Sequence, residues 1–98
     1  MIVADVSIIP IGMGESVSRF VKRAIEELQK SGLRIEVCAM STVVEAKDVE
    51  ELFNAVKRAR EAVFEMGVKR VYTIIRIDER RDKELSIEGK ISSVIQKI

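Results

Sequence analysis

Residues 2–12 read Ile-Val-Ala-Asp-Val-Ser-Ile-Ile-Pro-Ile-Gly, and the rest of the chain is best understood from this stretch. Its side chains alternate in character, as they do along a β-strand whose successive residues point to opposite faces of a sheet. One face carries Ile2, Ala4, Val6 and Ile8, and the other carries Val3, Asp5, Ser7 and Ile9. Pro10 and Gly12 end the run. The pattern predicts a first strand with one apolar face and one mixed face.

The sequence predicts two amphipathic helices that each pack one face against the sheet. Apolar residues recur at steps of three and four over Glu15–Lys30, which indicates an amphipathic helix that stops before Gly32. The second helix begins with a capping box, since Asp48 is followed three residues later by Glu51. Its apolar stripe continues as far as Gly67. Each helix therefore has one face that must be buried.

Three further strands follow from the same alternation, and two of them form a hairpin with a turn at Ser41 and Thr42. A charged loop over residues 78–84 then leads into a last helix, for which Ser86 is the expected cap. The predicted strands are Leu33–Met40, Val43–Ala46 and Lys69–Asp78.

The order β-α-β-β-α-β plus a helix predicts an α+β, ferredoxin-like single domain over residues 1–98. It is a two-layer sandwich: an antiparallel sheet with two helices on one face and an extra C-terminal helix. The second face would carry Val3, Asp5, Ser7, Ile9, Cys38, Met40, Tyr72, Ile74 and Arg76. This surface is too apolar to remain fully exposed to water, and the last helix is too short to cover all of it. We therefore expect a homo-oligomer, a dimer or tetramer, joined through the sheet.

Composition excludes several classes of function. The chain has 98 residues, with 17 Lys and Arg against 16 Asp and Glu, so its net charge of +1 offers no field that attracts nucleic acid or an anionic membrane. It contains no histidine, which removes the usual catalytic triads and zinc sites. We expect no metal and no cofactor. The lone Cys38 and the absence of a signal peptide or membrane-length apolar run predict a cytoplasmic protein.

The predicted fold serves several functions and does not select one. RNA readers of this fold stack bases on aromatic residues of the central strands, which the first strand lacks. Acyl-phosphate hydrolases need a basic phosphate loop, but here Gly12 and Gly14 are followed by Glu15. Two non-catalytic classes remain: a small-molecule binding protein, or an oligomeric regulatory module resembling amino-acid sensing domains with another small ligand.

Three stretches resemble one known family: Val6–Gly12, Met40–Glu45, and Gly67–Val71 continuing through Ile77–Lys83. They are similar to the small thiamine-binding proteins, formerly a conserved family of unknown function, over nearly the whole chain. The resemblance implies a ferredoxin-like fold, assembly as dimers and tetramers, and binding of thiamine or its hydroxymethylpyrimidine part. One departure is Ala46, where many relatives have glycine.

A thiamine-like ligand would need a carboxylate, hydroxyls or backbone groups, and an apolar wall. Glu45 would accept hydrogen bonds from the exocyclic amine or offset the thiazolium charge, contributing about 1.5–3 kcal/mol. The alternative for this residue is a solvated glutamate at a strand end. Tyr72 either stacks on the ligand or fills the sheet interface, and Arg76 is expected to pair with Asp5. The candidate ligand-binding residues are Ser7, Pro10, Gly12, Met40, Ser41, Thr42 and Glu45.

Overall fold

The computed structural model describes residues 1–98 and has the element order expected from the sequence. The four strands form one antiparallel sheet in the order β2-β3-β1-β4, which is the ferredoxin-like arrangement, and the fold prediction is confirmed. The strands are β1 (Ile2–Ile11), β2 (Arg34–Val37), β3 (Thr42–Ala46) and β4 (Arg70–Glu79), and the helices are α1 (Ser18–Lys30), α2 (Val49–Phe64) and α3 (Ile87–Ile95).

The hydrophobic core lies between the sheet and the pair formed by α1 and α2. Strand β1 is central because it pairs with β3 on one side and β4 on the other. Its apolar face is buried as the alternation predicts, and the helices contribute their predicted stripes. The largest fully buried side chains are Phe20, Ile2, Leu28, Leu52, Val44 and Val63.

The ends of the helices follow from their caps. Asp48 accepts a hydrogen bond from the Glu51 N–H at 2.9 Å, so the predicted start of α2 is confirmed. Helix α1 begins at Ser18, three residues later than predicted. Val17 precedes it and has no polar side chain that could cap the helix, and the stretch between β1 and α1 is a loop with two glycines at positive φ. The amphipathic pattern continues into this loop although the helix does not.

The second face of the sheet is covered only at one corner. Val3 is buried there, at 7% exposure, by Leu85 and by Ile87 at the start of α3. Elsewhere the face is open, and Tyr72 remains 54% exposed. Helix α3 also leaves Ile91, Val94 and Ile95 exposed to solvent, and Ile98, beyond the end of the helix, is exposed as well. The last helix therefore covers part of the sheet, as expected from its length.

Candidate functional site

One half of the central strand has an open edge. Strand β3 pairs with β1 only from Ile2 to Val6, whereas β4 pairs along the whole strand as far as Ile11. Alternate residues of an antiparallel strand direct both backbone groups toward the same neighbour. Beyond Val6, the side of β1 that faces away from β4 therefore presents backbone N–H and C=O groups that no strand covers.

The β2–β3 hairpin turns beside this open edge. The Cys38 N–H donates to the Ser41 carbonyl at 2.9 Å, which leaves Ala39 and Met40 as the two residues of the turn. The predicted turn at Ser41 and Thr42 was wrong by about two residues, and β2 ends at Val37. The turn places Met40 at its tip, where the side chain is 90% exposed.

A cavity of about 200 Å³ lies between the open edge of β1, the hairpin turn and α1. Its floor is the β1 segment Val6–Ile9, and one wall is the hairpin segment Val37–Thr42. Helix α1 supplies the other wall with four apolar side chains: Val21, Ala24, Ile25 and Leu28. The cavity is therefore mostly apolar, with its polar groups confined to the strand and hairpin side.

Three hydroxyl-bearing residues line the cavity. Thr42 is the only buried polar residue of the chain, at 6% exposure, and Ser7 and Ser41 are half-buried. The Ser41 hydroxyl donates to the Asp5 carboxylate at 3.4 Å, so its oxygen keeps lone pairs free to accept a hydrogen bond. These groups give the apolar cavity a small set of fixed polar contacts.

The predicted pair between Asp5 and Arg76 is confirmed. The Arg76 Nε donates to Asp5 Oδ1 at 2.9 Å across the open face of the sheet. This hydrogen bond, helped by the charge of the guanidinium and by the Ser41 hydroxyl, lowers the pKa of the Asp5 carboxyl below its usual value of 3.8. Asp5 thus remains ionised at neutral pH and holds Ser41 in place.

The candidate residues from the sequence do not all lie together. Ser7, Met40, Ser41 and Thr42 line the cavity. Pro10 and Gly12 do not line it; they lie at and just beyond the end of β1, and Gly12 turns the chain away with φ of 85°.

Glu45 has a different neighbour. Its Oε2 accepts a hydrogen bond from the backbone N–H of Ile87 at 2.8 Å. Ile87 is the first residue of α3, so the carboxylate holds the positive end of that helix against the sheet. The half-buried Glu45 is therefore more than a solvated glutamate, and its role in ligand binding stays a prediction.

Some cavity residues were not foreseen. Cys38, expected only on the second face of the sheet, is exposed and lines the cavity. The α1 wall was predicted only as part of the general apolar stripe. The missing information was the register of β3 on β1, since it decides which part of β1 stays open. That the half-buried Val21 and Ile25 face a cavity becomes clear only once α1 is placed on the sheet.

A second, open depression of about 360 Å³ lies on the other face of the sheet, near α3. Its charged groups are already paired with each other. Arg76 binds Asp5, and the Lys90 ammonium binds the Asp78 carboxylate. No group of three or more Cys, Asp or Glu side chains converges to hold a metal ion. None of the three helices has the length and apolar character needed to cross a bilayer.

Comparison with known proteins extends this description. The family model described as "Thiamine-binding protein" matches residues 4–95. The chain belongs to the thiamine-binding protein family. The chain is similar to a protein from Methanothermobacter thermautotrophicus, named a UPF0045 protein, with 44% identity over the full length of both chains. Another, from Bacillus subtilis, is 41% identical, with 96% of this chain and 94% of that protein covered.

Solved structures similar to this chain have the same fold. A hypothetical protein from Methanocaldococcus jannaschii superposes with a TM-score of 0.90 at 46% identity, covering 97% of this chain and 96% of the other. A protein from Thermotoga maritima, described as a candidate thiamine biosynthesis/salvage protein, gives a TM-score of 0.81 at 26% identity, covering 95% and 97%. The family resemblance inferred from the sequence is confirmed.

Proposed function

We propose that this protein binds thiamine or its hydroxymethylpyrimidine part, without catalysis, in the cavity beside the open edge of β1. The observation that carries the proposal is an apolar cavity with hydroxyls and unpaired backbone groups on one side, in a member of the thiamine-binding protein family. Such cavities suit flat, partly polar rings.

The size of the cavity favours the pyrimidine ring over the whole vitamin. Pockets for drug-sized ligands measure roughly 300–1,000 Å³. A volume of about 200 Å³ suits a single substituted ring. Thiamine itself would place its pyrimidine inside and its thiazolium at the mouth, beside Met40 and within reach of the charge of Asp5.

The polar groups match an aminopyrimidine. The exocyclic amine donates hydrogen bonds and the adjacent ring nitrogen accepts one. Ser41 Oγ is available as an acceptor because its proton points to Asp5, and the Thr42 hydroxyl can donate. The uncovered backbone N–H and C=O groups of β1 provide a second donor and acceptor pair. Together these donors and acceptors are complementary to those of the aminopyrimidine ring.

The same proposal includes an oligomer and a location. The open sheet face, with Tyr72 and Ile74 exposed, supports a homo-oligomer, dimer or tetramer, whose copies meet through that face. The exposed Cys38 thiol is compatible with a reducing cytoplasm. Apart from Cys38, the cavity lining contains no titratable side chain, which supports binding rather than chemistry.

Calorimetric titration with hydroxymethylpyrimidine and with thiamine tests the site. Thr42→Val keeps the size of the side chain and removes its hydroxyl, so we expect affinity to fall about tenfold. Thr73→Val is the matched control, because Thr73 lies on β4 outside the cavity. We expect this second variant to bind like wild type.

Two results would overturn the assignment. One is equal affinity of the wild type and Thr42→Val for hydroxymethylpyrimidine. The other is no binding of either compound while an amino acid binds in a thermal-shift screen, where saturation at 100 times the dissociation constant adds about 2.7 kcal/mol of stability. The second result would favour the regulatory module that resembles amino-acid sensing domains.

A further inference from the structure

Three polar side chains form a row across the open face of the sheet. Arg76 of β4 lies directly opposite Asp5 of β1 in the register of the sheet. Ser41 lies one residue before β3, and its hydroxyl donates to Asp5 Oδ2 at 3.4 Å. The row therefore runs from the exposed Arg76, through the Asp5 carboxylate, to the cavity that Ser41 lines.

The Asp5 carboxylate fixes the direction of the Ser41 hydroxyl. Arg76 Nε donates to Asp5 Oδ1 at 2.9 Å and to Oδ2 at 3.2 Å, and this hydrogen bonding lowers the pKa of the Asp5 carboxyl and keeps it ionised. An ionised carboxylate only accepts hydrogen bonds, so the proton between the two residues must come from Ser41. The Ser41 oxygen consequently presents lone pairs, and no proton, to the cavity.

The other two cavity hydroxyls are not held in this way. Ser7 and Thr42 line the cavity, and neither hydroxyl takes part in any side-chain hydrogen bond of the structure. A hydroxyl without a fixed partner rotates to donate or to accept, as the ligand requires. Ser41 is therefore the cavity hydroxyl whose polarity is set before a ligand arrives.

Two pyrimidines of nearly equal size present opposite groups to such an acceptor. In an aminopyrimidine the exocyclic amine donates hydrogen bonds and the adjacent ring nitrogen accepts one. In the oxo analogue a carbonyl replaces the amine and the ring nitrogen carries a proton, so both positions are reversed. A carbonyl placed against Ser41 meets lone pairs, and it gains a hydrogen bond only if Ser41 gives up its bond to Asp5.

We propose that Asp5 is a positioning residue, which acts through Ser41 to select an aminopyrimidine over its oxo analogue. This inference rests on the proposed function, since it takes the same ring in the same cavity. It adds a discrimination that the size and the apolar walls of the cavity do not supply, because the two rings have nearly the same shape. The ligand class is thereby narrowed to rings whose exocyclic group donates a hydrogen bond.

Calorimetry with the two compounds measures this selection. The measured quantity is the dissociation constant of the oxo analogue of hydroxymethylpyrimidine divided by that of hydroxymethylpyrimidine itself. Wild type should prefer the amine. Asp5→Asn removes the charge and one acceptor oxygen, so the Ser41 proton is no longer fixed and the ratio should fall about tenfold. Ser41→Ala removes the acceptor itself and should lower the ratio by a similar factor.

The double variant separates an action through Ser41 from a direct effect of Asp5. Once residue 41 is alanine, Asp5 has no hydroxyl to orient, so Asp5→Asn/Ser41→Ala should have the ratio of Ser41→Ala within about twofold. Asp78→Asn is the matched control, because it breaks the ion pair with Lys90 on the same face and Asp78 does not line the cavity. Its ratio should equal that of wild type. Partial unfolding weakens both affinities by the same factor, so the ratio is insensitive to a loss of stability.

A wild-type ratio in Asp5→Asn, with both affinities reduced alike, would show that Asp5 only supports the fold and would end the inference. Equal binding of the two compounds by wild type, an equal fall of the ratio in Asp78→Asn, or a double variant well below Ser41→Ala would end it too. Each of these results leaves the binding of hydroxymethylpyrimidine intact. A wild type that binds neither compound instead removes the proposed function, and this inference with it.

Discussion

Substitution of Glu45 by alanine should release the start of α3 from the sheet. The carboxylate accepts the Ile87 N–H at 2.8 Å, and nothing in an alanine side chain replaces that acceptor. Ser86 caps the same helix by accepting the Gly89 N–H at 2.9 Å, so one cap survives the change. The helix should therefore loosen at its first turn while the core between the sheet and α1 and α2 remains intact.

The size of the effect follows from this contact. A hydrogen bond to a charged group contributes about 1.5–3 kcal/mol. Glu45 is only half-buried, so water will replace part of the lost interaction and the lower half of that range applies. We expect the local opening of α3 to become easier by about 1.5–2 kcal/mol, which is about a 10- to 30-fold change in its opening equilibrium.

Amide hydrogen exchange measures this opening directly. The Lys90 N–H donates to the Ser86 carbonyl at 3.1 Å and reports on the first turn of α3. Its exchange should be about 10- to 30-fold faster in Glu45→Ala, while amides of β1 keep their wild-type rates. Glu45→Gln retains an acceptor oxygen and should show a smaller change. Glu26→Ala is the matched control, since Glu26 is exposed on α1 and takes part in none of the ion pairs of the structure.

The reasoning is refuted if Lys90 exchanges within twofold of wild type in Glu45→Ala. It is equally refuted if Glu26→Ala produces the same acceleration. Unchanged hydroxymethylpyrimidine affinity in Glu45→Gln would in addition remove Glu45 from the ligand site, leaving the support of α3 as its role.

Three further outcomes are expected. Phe20→Ala should lower the free energy of unfolding by about 3–5 kcal/mol in urea titrations, because Phe20 is fully buried; a loss under 1 kcal/mol would contradict its place in the core. Asp48→Ala should remove about 1 kcal/mol by uncapping α2, and Asp48→Ser should recover most of it. Asp5→Asn should be less stable than wild type above pH 3.8, because the pKa of Asp5 is lowered by Arg76. As the pH falls below 3.8 toward the lowered pKa of Asp5, the wild-type carboxyl takes up its proton and the difference in stability between wild type and Asp5→Asn should disappear. A difference in stability that grows as the pH falls would contradict this reasoning.

Most of the fold was predictable because the apolar residues follow the periods of 2 and 3.6 with little interruption. The capping residues Asp48 and Ser86 fixed the starts of two helices, since their side chains make the expected hydrogen bonds. The start of α1 was not predictable in the same way. Val17 has no capping side chain, and the amphipathic pattern extends into the preceding loop.

The hairpin shows why the candidate site was only partly predictable. Alternation continues from Leu33 to Met40, although the chain turns at Ala39 and Met40. Neither turn residue is Gly, Pro, Asn or Asp, and no residue other than glycine has positive φ, so the usual turn signals are missing. The cavity depends on where β3 stops along β1, which is a property of the register and of no single residue. The role of Glu45 depends on a contact 42 positions away in the sequence.

The unequal lengths of β1 and β3 have a consequence for how this architecture can diversify. The vacant stretch of β1 exists because the hairpin turns back after Thr42 has met Val6. Two more residues in each arm would extend the ladder over that stretch and abolish the recess, whereas two fewer would widen it. A short insertion or deletion in the β2–β3 hairpin could therefore change the size of the recess, and so the size of the ligand that fits, without altering the helices or the hydrophobic core.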